Sequence, residues 1–275
     1  MANHITFIGA GNMASAIIGG LIDSGFSPSS ITATSPDDAM LAPVRERLGI
    51  HTDTDNNAAV SQADVVVLAV KPQIMRQVCE AMRDSVQRQK PLIISIAAGL
   101  DADTIDGWLG GGNALVRCMP NTPSLVGYGA SGLFANTRVS TEQRDIATEL
   151  MEAVGIVEWV DDEALLDAVT AVSGSAPAYF FLMFEAMEEA GVKMGLPAAT
   201  ARRLAIQTAL GAATMAKQSD KDPATLKQNV MSPGGTTEQA IAHLEDANLR
   251  GTMEAAMQAC AKRAQEMAKE LSGTP

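Results

Sequence analysis

Residue types able to do chemistry cluster at a few places in this 275-residue chain. Near its start, Ile5-Thr6-Phe7-Ile8-Gly9-Ala10-Gly11-Asn12-Met13-Ala14 reads as a strand followed by G-x-G-x-x-A opening a helix. In such a pattern Gly9 permits the tight turn, Gly11 lets backbone approach a pyrophosphate, and the small Ala14 lets helix pack on strand. N–H groups and the positive end of the helix dipole then face the anion. Alone, the glycines mark a generic strand-to-helix turn. Placed after a strand and inside a βαβ rhythm, they point to a dinucleotide.

The end of the second strand, Ile31-Thr32-Ala33-Thr34-Ser35-Pro36-Asp37-Asp38, bears on which dinucleotide. An NAD-type site places a carboxylate there to hold the ribose diol. Here Thr34 and Ser35 take that place, small hydroxyls able to donate to a 2′-phosphate. Arg45 and Arg47 come only a helix later, and Asp37 and Asp38 repel phosphate. The balance favours NADPH, with NADH as the alternative. Ala69-Val70-Lys71-Pro72 and Ile96-Ala97-Ala98-Gly99 end the fourth and fifth strands, where ligands of open α/β sheets sit. They should border the ribose and nicotinamide. Lys71 stands before a helix-starting Pro72, as well placed for binding as for a plain surface role. Met119-Pro120-Asn121-Thr122-Pro123 is a second Pro-bounded loop on this rim.

A third cluster is Leu226-Lys227-Gln228-Asn229-Val230-Met231-Ser232-Pro233-Gly234-Gly235-Thr236-Thr237-Glu238. Pro and two glycines break a helix, and Thr236, Thr237 and Glu238 open the next. Several free N–H groups and two hydroxyls converge there, a ready carboxylate or phosphate site. An ordinary interhelix turn with a Thr cap is the plainer explanation, but it would not need Ser-Pro-Gly-Gly and two threonines.

The elements that position these clusters follow from periodicity. Short apolar runs alternate with helical patterns over the first ~110 residues, the rhythm of a parallel sheet with crossover helices. Strands are expected at Ile5–Ile8, Ile31–Thr34, Val65–Val70, Leu92–Ala97, Leu115–Cys118, Ala130–Phe134 and Ile156–Val160. Helices are expected at Asn12–Asp23, Gln73–Arg88 and Thr141–Val154. After Asp161-Asp162 the chain turns rich in Ala, Met, Glu, Lys and Gln, with helical spacing through Ala178–Met194, Ala198–Lys217 and Leu249–Leu271. This predicts an α/β Rossmann-type, doubly wound N-terminal domain over 1–162 and an all-α C-terminal domain over 163–275. Ala178–Phe184 is uncharged around its circumference, so that helix should be buried on several sides, most simply by another subunit.

Composition excludes other classes. The net charge of −12 disfavours nucleic acid and anionic membranes. The apolar run Leu92–Leu100 is nine residues, about half of a membrane span. No basic segment precedes an apolar one at the start, so a secretion signal is not expected. Cys79, Cys118 and Cys260, odd in number and far apart, suit a reducing, cytoplasmic compartment. Three lone histidines and no Cys-x-x-Cys leave little for a metal site.

Taken with Arg117-Cys118-Met119-Pro120-Asn121-Thr122-Pro123, Gly174-Ser175-Ala176-Pro177-Ala178-Tyr179 and Asn229–Thr237, these motifs make nearly the whole chain resemble the pyrroline-5-carboxylate reductase family. The resemblance implies NAD(P)H-dependent reduction of 1-pyrroline-5-carboxylate to L-proline, the last step of proline biosynthesis. It implies a Rossmann domain and a helical domain that dimerises, with dimers often assembling into a decamer. Carried onto this sequence, it puts Ile8, Gly9, Ala10, Gly11, Asn12 and Met13 at the pyrophosphate, Ser35 by the adenosine ribose and Asn56 near the adenine. Ala69, Val70, Lys71, Pro72 and Ala97 would line the nicotinamide side. Ser232, Gly235, Thr236 and Thr237 would hold the substrate carboxylate and ring nitrogen. This sequence departs from the family where many bacterial members carry an Arg soon after the second strand, and at Asp220, where some members have Glu.

The implied chemistry suits what the sequence lacks. A protonated C=N already presents an electrophilic carbon, so no strong general acid is required, and His4, His51 and His243 are read as structural. Thr237 is the expected hydroxyl partner of the ring nitrogen. A β-hydroxyacid dehydrogenase, also a Rossmann domain joined to helices, would need a lysine on the first helix after the linker; Ala171–Pro177 has none. A non-catalytic NAD(P)H sensor would bind coenzyme without turnover.

Overall fold

Val65 to Leu68 are buried without exception, yet they alternate between two cores. Val65 and Val67 join the apolar residues of one cluster, with Phe7, Ile17, Ile18 and Leu21. Val66 and Leu68 join the other, with Met75, Cys79, Met82 and Ile93. A strand with apolar residues on both faces needs a helical layer on each side, the property of a parallel sheet inside an α/β sandwich. That sandwich is what the computed structural model shows over its described residues, 4–272.

In chain order the elements are β1 (Ile5–Ile8), α1 (Asn12–Asp23), β2 (Ile31–Thr34), α2 (Asp38–Leu48), β3 (His51–Asp53), α3 (Asn56–Val60), β4 (Val65–Leu68), α4 (Pro72–Gln89), β5 (Leu92–Ser95), α5 (Ala102–Trp108) and β6 (Leu115–Met119). Next come β7 (Gly129–Ala135), α6 (Thr141–Glu152), β8 (Gly155–Trp159) and α7 (Leu165–Val169). The sheet order is β3-β2-β1-β4-β5-β6-β7-β8, parallel through β6, with β7 antiparallel to β6 and β8 parallel to β7. Strand order reverses between β1 and β4, so the ligand crevice belongs beyond their carboxyl ends. β4 and β5 stop at Leu68 and Ser95, two residues short of the expected ends. Those residues form the turns that face the crevice.

Beyond α7, Thr170–Gly174 forms a π turn, then α8 (Ala176–Lys193), α9 (Ala198–Gln218), α10 (Pro223–Val230), α11 (Thr236–Asp246) and α12 (Leu249–Ser272) follow. Packing divides the chain into a unit of residues 176–258 and a unit of the remainder. The composition shift at 161–163 thus precedes the packing division, and α7 stays with the sheet. A Cβ at Gly132 of β7 would lie 2.5 Å from Val169, so only glycine there lets α7 lie so close. In the helical unit α8 and α9 form a hairpin around Met194–Pro197, their approach set by small residues. A Cβ at Gly191 would come within 2.9 Å of Ala201.

The apolar side chains of α8 are not covered within one chain: Phe180, Phe181 and Leu182 are each at least 60% exposed. Leu204, Leu210 and Met215 of α9 are exposed as well. The helical run Leu165–Lys193 is long and apolar enough, by length and composition, to cross a membrane.

Candidate active site

β1 and β4 meet at the carboxyl edge, where Ala69 donates its N–H to Ile8 O at 2.9 Å. Gly9 turns the chain there with φ +104, and a Cβ on it would lie 2.7 Å from Ala69 O. Glycine is therefore required on two counts. Gly11 differs: a Cβ there meets no atom within 4 Å, so the space above it is open. It is the N-cap of α1 without a side-chain cap. The N–H groups of Asn12 and Met13 have no helical acceptor, and the helix dipole is positive at this end. Ala14 is buried against the sheet. An open cradle of N–H groups that a side chain would fill suits a pyrophosphate.

The β2 end holds its polar groups tightly. The Thr34 hydroxyl is fully buried and donates to Asn56 Oδ1 at 2.6 Å, which fixes Asn56 at the start of α3. Thr34 is thus no donor to a phosphate, which corrects the expectation from its place in the sequence. Ser35 is buried too, and its Oγ accepts from Asp37 N at 3.3 Å. Asp37 caps α2 by accepting from Ala39 N at 2.9 Å. Sequence distance hid one residue here. Arg45 reaches back along α2 to Asp38 Oδ1 at 2.6 Å and donates through Nε to Thr52 Oγ1 at 2.7 Å. The i, i+7 spacing, two helical turns, was the available signal.

Lys71 is the N-cap of α4 with Pro72 at its first position, and Ala97 lies just beyond β5, its N–H 3.4 Å from Ser95 Oγ. Ile8–Met13, Ala69–Pro72 and Ala97 therefore share one rim of the sheet. On the same rim, Asn121 bridges two segments. Its Nδ2 donates to Ser173 O at 3.1 Å and its Oδ1 accepts from Ala130 N at 2.9 Å. Pro177 lacks the N–H that Ser173 O would otherwise receive in a regular helix, and Asn121 supplies the missing donor. Arg117 pairs with Glu163 at 2.8 Å, and Glu163 also accepts from Ala102 N at 2.7 Å.

In the helical unit, Ser232–Gly235 is a turn with Gly234 at φ +71, closed by Gly235 N–H to Ser232 O at 2.8 Å. A Cβ on Gly235 would lie 2.9 Å from that oxygen, so glycine is required. Gly234 N–H donates to Glu238 Oε2 at 2.7 Å. Two of the N–H groups expected to be free are thus engaged, the first by turn closure and the second by the chain's own carboxylate. The donors at Thr236, Thr237 and Glu238 begin α11 and have no helical acceptor. Among the described residues neither Thr236 nor Thr237 has a hydroxyl partner. The Glu three residues after the cap, half of a capping box, was the signal for the Glu238 contact.

Among the described residues no hydrogen bond links a histidine side chain to these groups. His4 precedes β1, its Nε2 2.9 Å from Thr32 Oγ1 and its N–H bonded to Asp64, while burial pushes its pKa down. His51 opens β3 and His243 lies in α11. Burial pushes the Cys79 and Cys118 thiols up to about 12, so neither is a nucleophile near neutrality.

A doubly wound sheet with a glycine cradle at its switch point, followed by a helical unit with an anion-receptive turn, defines a dinucleotide-dependent oxidoreductase. Comparison with known proteins agrees. Residues 4–99 match the family described as NADP oxidoreductase coenzyme F420-dependent, and residues 163–267 match pyrroline-5-carboxylate reductase dimerisation. The pyrroline-5-carboxylate reductase of Pseudomonas aeruginosa is 49% identical over 98% of both chains, and that of Vibrio alginolyticus 46% over 96% of this chain and 97% of its own. A pyrroline-5-carboxylate reductase structure from Coxiella burnetii superposes with a TM-score of 0.95, at 46% identity over 98% of this chain and all of that one. One from Plasmodium falciparum, with NADP bound, gives 0.85 at 29% identity over 97% and 98% of the two chains. The chain belongs to the pyrroline-5-carboxylate reductase family.

Proposed function

We propose that this chain reduces 1-pyrroline-5-carboxylate to L-proline in the cytoplasm, the last step of proline biosynthesis, with NADPH as hydride donor and NADH as the alternative. The observation that carries the substrate assignment is the Ser232–Thr237 turn, whose glycines, helix-start N–H groups and threonine hydroxyls, unpartnered among the described residues, suit a small carboxylate bearing a ring nitrogen. The bound nicotinamide supplies the hydride.

This chain's residues do the rest. The N–H groups of Gly11, Asn12 and Met13 take the pyrophosphate, Ser35 and Asn56 border the adenosine, and Ala69–Pro72 and Ala97 line the nicotinamide. Ser232 and the N–H groups of Thr236 and Thr237 hold the substrate carboxylate, and Gly235, its own N–H closing the turn, shapes the backbone that presents them. The Thr237 hydroxyl bonds to the ring nitrogen and orients the C=N carbon. As the new C–H bond forms, the C=N π pair moves onto the nitrogen, which is already protonated. The Thr237 hydroxyl then faces a neutral secondary amine. Orientation rather than acid catalysis is the main contribution.

The helical unit builds a homodimer at least, with a decamer as the larger assembly. The exposed Phe180, Phe181 and Leu182 of α8 lie within the segment matched by the dimerisation family, which supports reading the apolar run Leu165–Lys193 as a protein contact rather than a membrane span. The test is NADPH oxidation, followed at 340 nm, with pyrroline-5-carboxylate against buffer and 2- and 3-hydroxy acids. Turnover with the imine alone supports the proposal. Coenzyme binding without turnover makes the protein a sensor, and a monomeric mass by light scattering at micromolar concentration contradicts the dimer.

A further inference from the structure

The rim that would meet an adenosine 2′-substituent carries more negative than positive charge. Asp37 caps α2, Asp38 sits in its first turn, and Asp53 accepts from Asp55 N at 2.9 Å. Arg45 is the cation that α2 returns to this rim. Asp38 and Arg45 are seven residues apart, within about 20° of each other around the helix and about 10 Å apart along it. The long Arg45 side chain closes that distance. Its bonds to Asp38 and to Thr52 draw the guanidinium back to the first turn of α2 and the middle of β3. Thr52 pairs with Ala33, one residue before the Thr34 that ends β2.

We infer that Arg45 is the specificity-determining residue for a coenzyme 2′-phosphate and that Asp38 is its internal competitor. The inference rests on the dinucleotide site proposed above. The Arg45 side chain is 46% exposed and that of Asp38 66%, so the pair is a weak surface contact that a phosphate can replace. A guanidinium meets phosphate oxygens with two parallel N–H donors, a stronger arrangement than its single bond to Asp38. The Thr52 bond at Nε holds the group in place and leaves both terminal nitrogens for the exchange. An acidic rim thus accepts a dianion by redirecting a cation it already holds, without an arginine directly after β2. With the 2′-phosphate absent, as in NADH, Arg45 stays on Asp38.

The test is equilibrium binding of adenosine 2′,5′-bisphosphate and 5′-AMP to the full chain by calorimetry, for the parent, Arg45→Gln and Asp38→Asn. The parent should prefer the bisphosphate. Arg45→Gln should weaken bisphosphate binding roughly tenfold and leave 5′-AMP within about twofold, since only the charge-assisted bonds are lost. Asp38→Asn should tighten the bisphosphate several-fold by releasing Arg45. An unchanged ratio of the two affinities in Arg45→Gln overturns the inference, as does Asp38→Asn weakening the bisphosphate, which would make Asp38 a ligand to the ribose. Should the Arg45 variant not fold by circular dichroism, the Asp38 variant decides alone. If neither nucleotide nor NADH binds the folded parent, the dinucleotide reading itself fails, and the inference with it.

Discussion

Glu238 accepts the Gly234 N–H at 2.7 Å, so the turn proposed to take a substrate carboxylate already carries one of the chain's own. The contact holds Gly234 in its positive-φ conformation and places a negative charge at the start of α11. A second carboxylate arriving at the same helix end is repelled by it. Glu238→Gln keeps an acceptor for Gly234 and removes the charge. It is expected to lower KM for the imino acid by roughly two- to fivefold with kcat little changed, the scale of one screened surface charge. Steady-state kinetics at saturating coenzyme measures this, and a raised KM would show that the charge assists binding.

Gly9 and Gly11 should fail in different ways. Gly9→Ala meets Ala69 O at 2.7 Å in a left-handed conformation, so it should lower Tm. Gly11→Val has open space around it and should fold normally while losing coenzyme affinity, because its side chain occupies the pyrophosphate position. Thermal melts and NADPH titration separate the two outcomes.

That contrast shows how far the sequence could be read. The strand-Gly-x-Gly-helix pattern was legible because each glycine answers a local demand, and β1, β2 and α1 fall on their expected boundaries. Arg45 was not legible as a rim residue, because only the folded helix shows that position 45 overlies position 38 and that the side chain points back. The same holds for Thr34, whose hydroxyl turned inward to Asn56 across a separation of 22 residues. In the 232–237 turn the glycines and threonines stood out, but the closing bond and the Glu238 contact depend on turn geometry that composition does not state.

Asn121 links the rim loop to the π turn. Asn121→Leu leaves Ser173 O and Ala130 N without their side-chain partner. A buried polar group left unsatisfied costs about 1–3 kcal/mol, so the variant should lose about 2–6 kcal/mol if both remain buried. Chemical denaturation measures it, and a loss below about 1 kcal/mol would mean that water replaces the amide.

His4 sets an acid-side slope. Burial lowers its pKa below the ordinary 6.5, with His51 acting in the same direction and Asp64 opposing. The unfolded chain therefore binds more protons as the pH falls below about 6.5, and stability is lost over that window, while above it the contribution is complete. His4→Gln should flatten the dependence of stability on pH between 6.5 and the lower folded value, measured by denaturation at a series of pH values. An unaltered slope would assign the acid sensitivity to carboxylates.

The substrate assignment rests on Thr237, and its truncation is the most direct test. Among the described residues the Thr237 hydroxyl has no partner, so Thr237→Ala removes nothing from the fold except a methyl and an available hydroxyl. If that hydroxyl bonds to the ring nitrogen, kcat/KM for pyrroline-5-carboxylate should fall roughly tenfold or more, from a loss of ~1.5 kcal/mol. NADPH affinity should stay unchanged, because the glycine cradle is untouched. Full kcat/KM in Thr237→Ala would contradict the account: the turn would be no more than a helix start, and the imine would bind elsewhere.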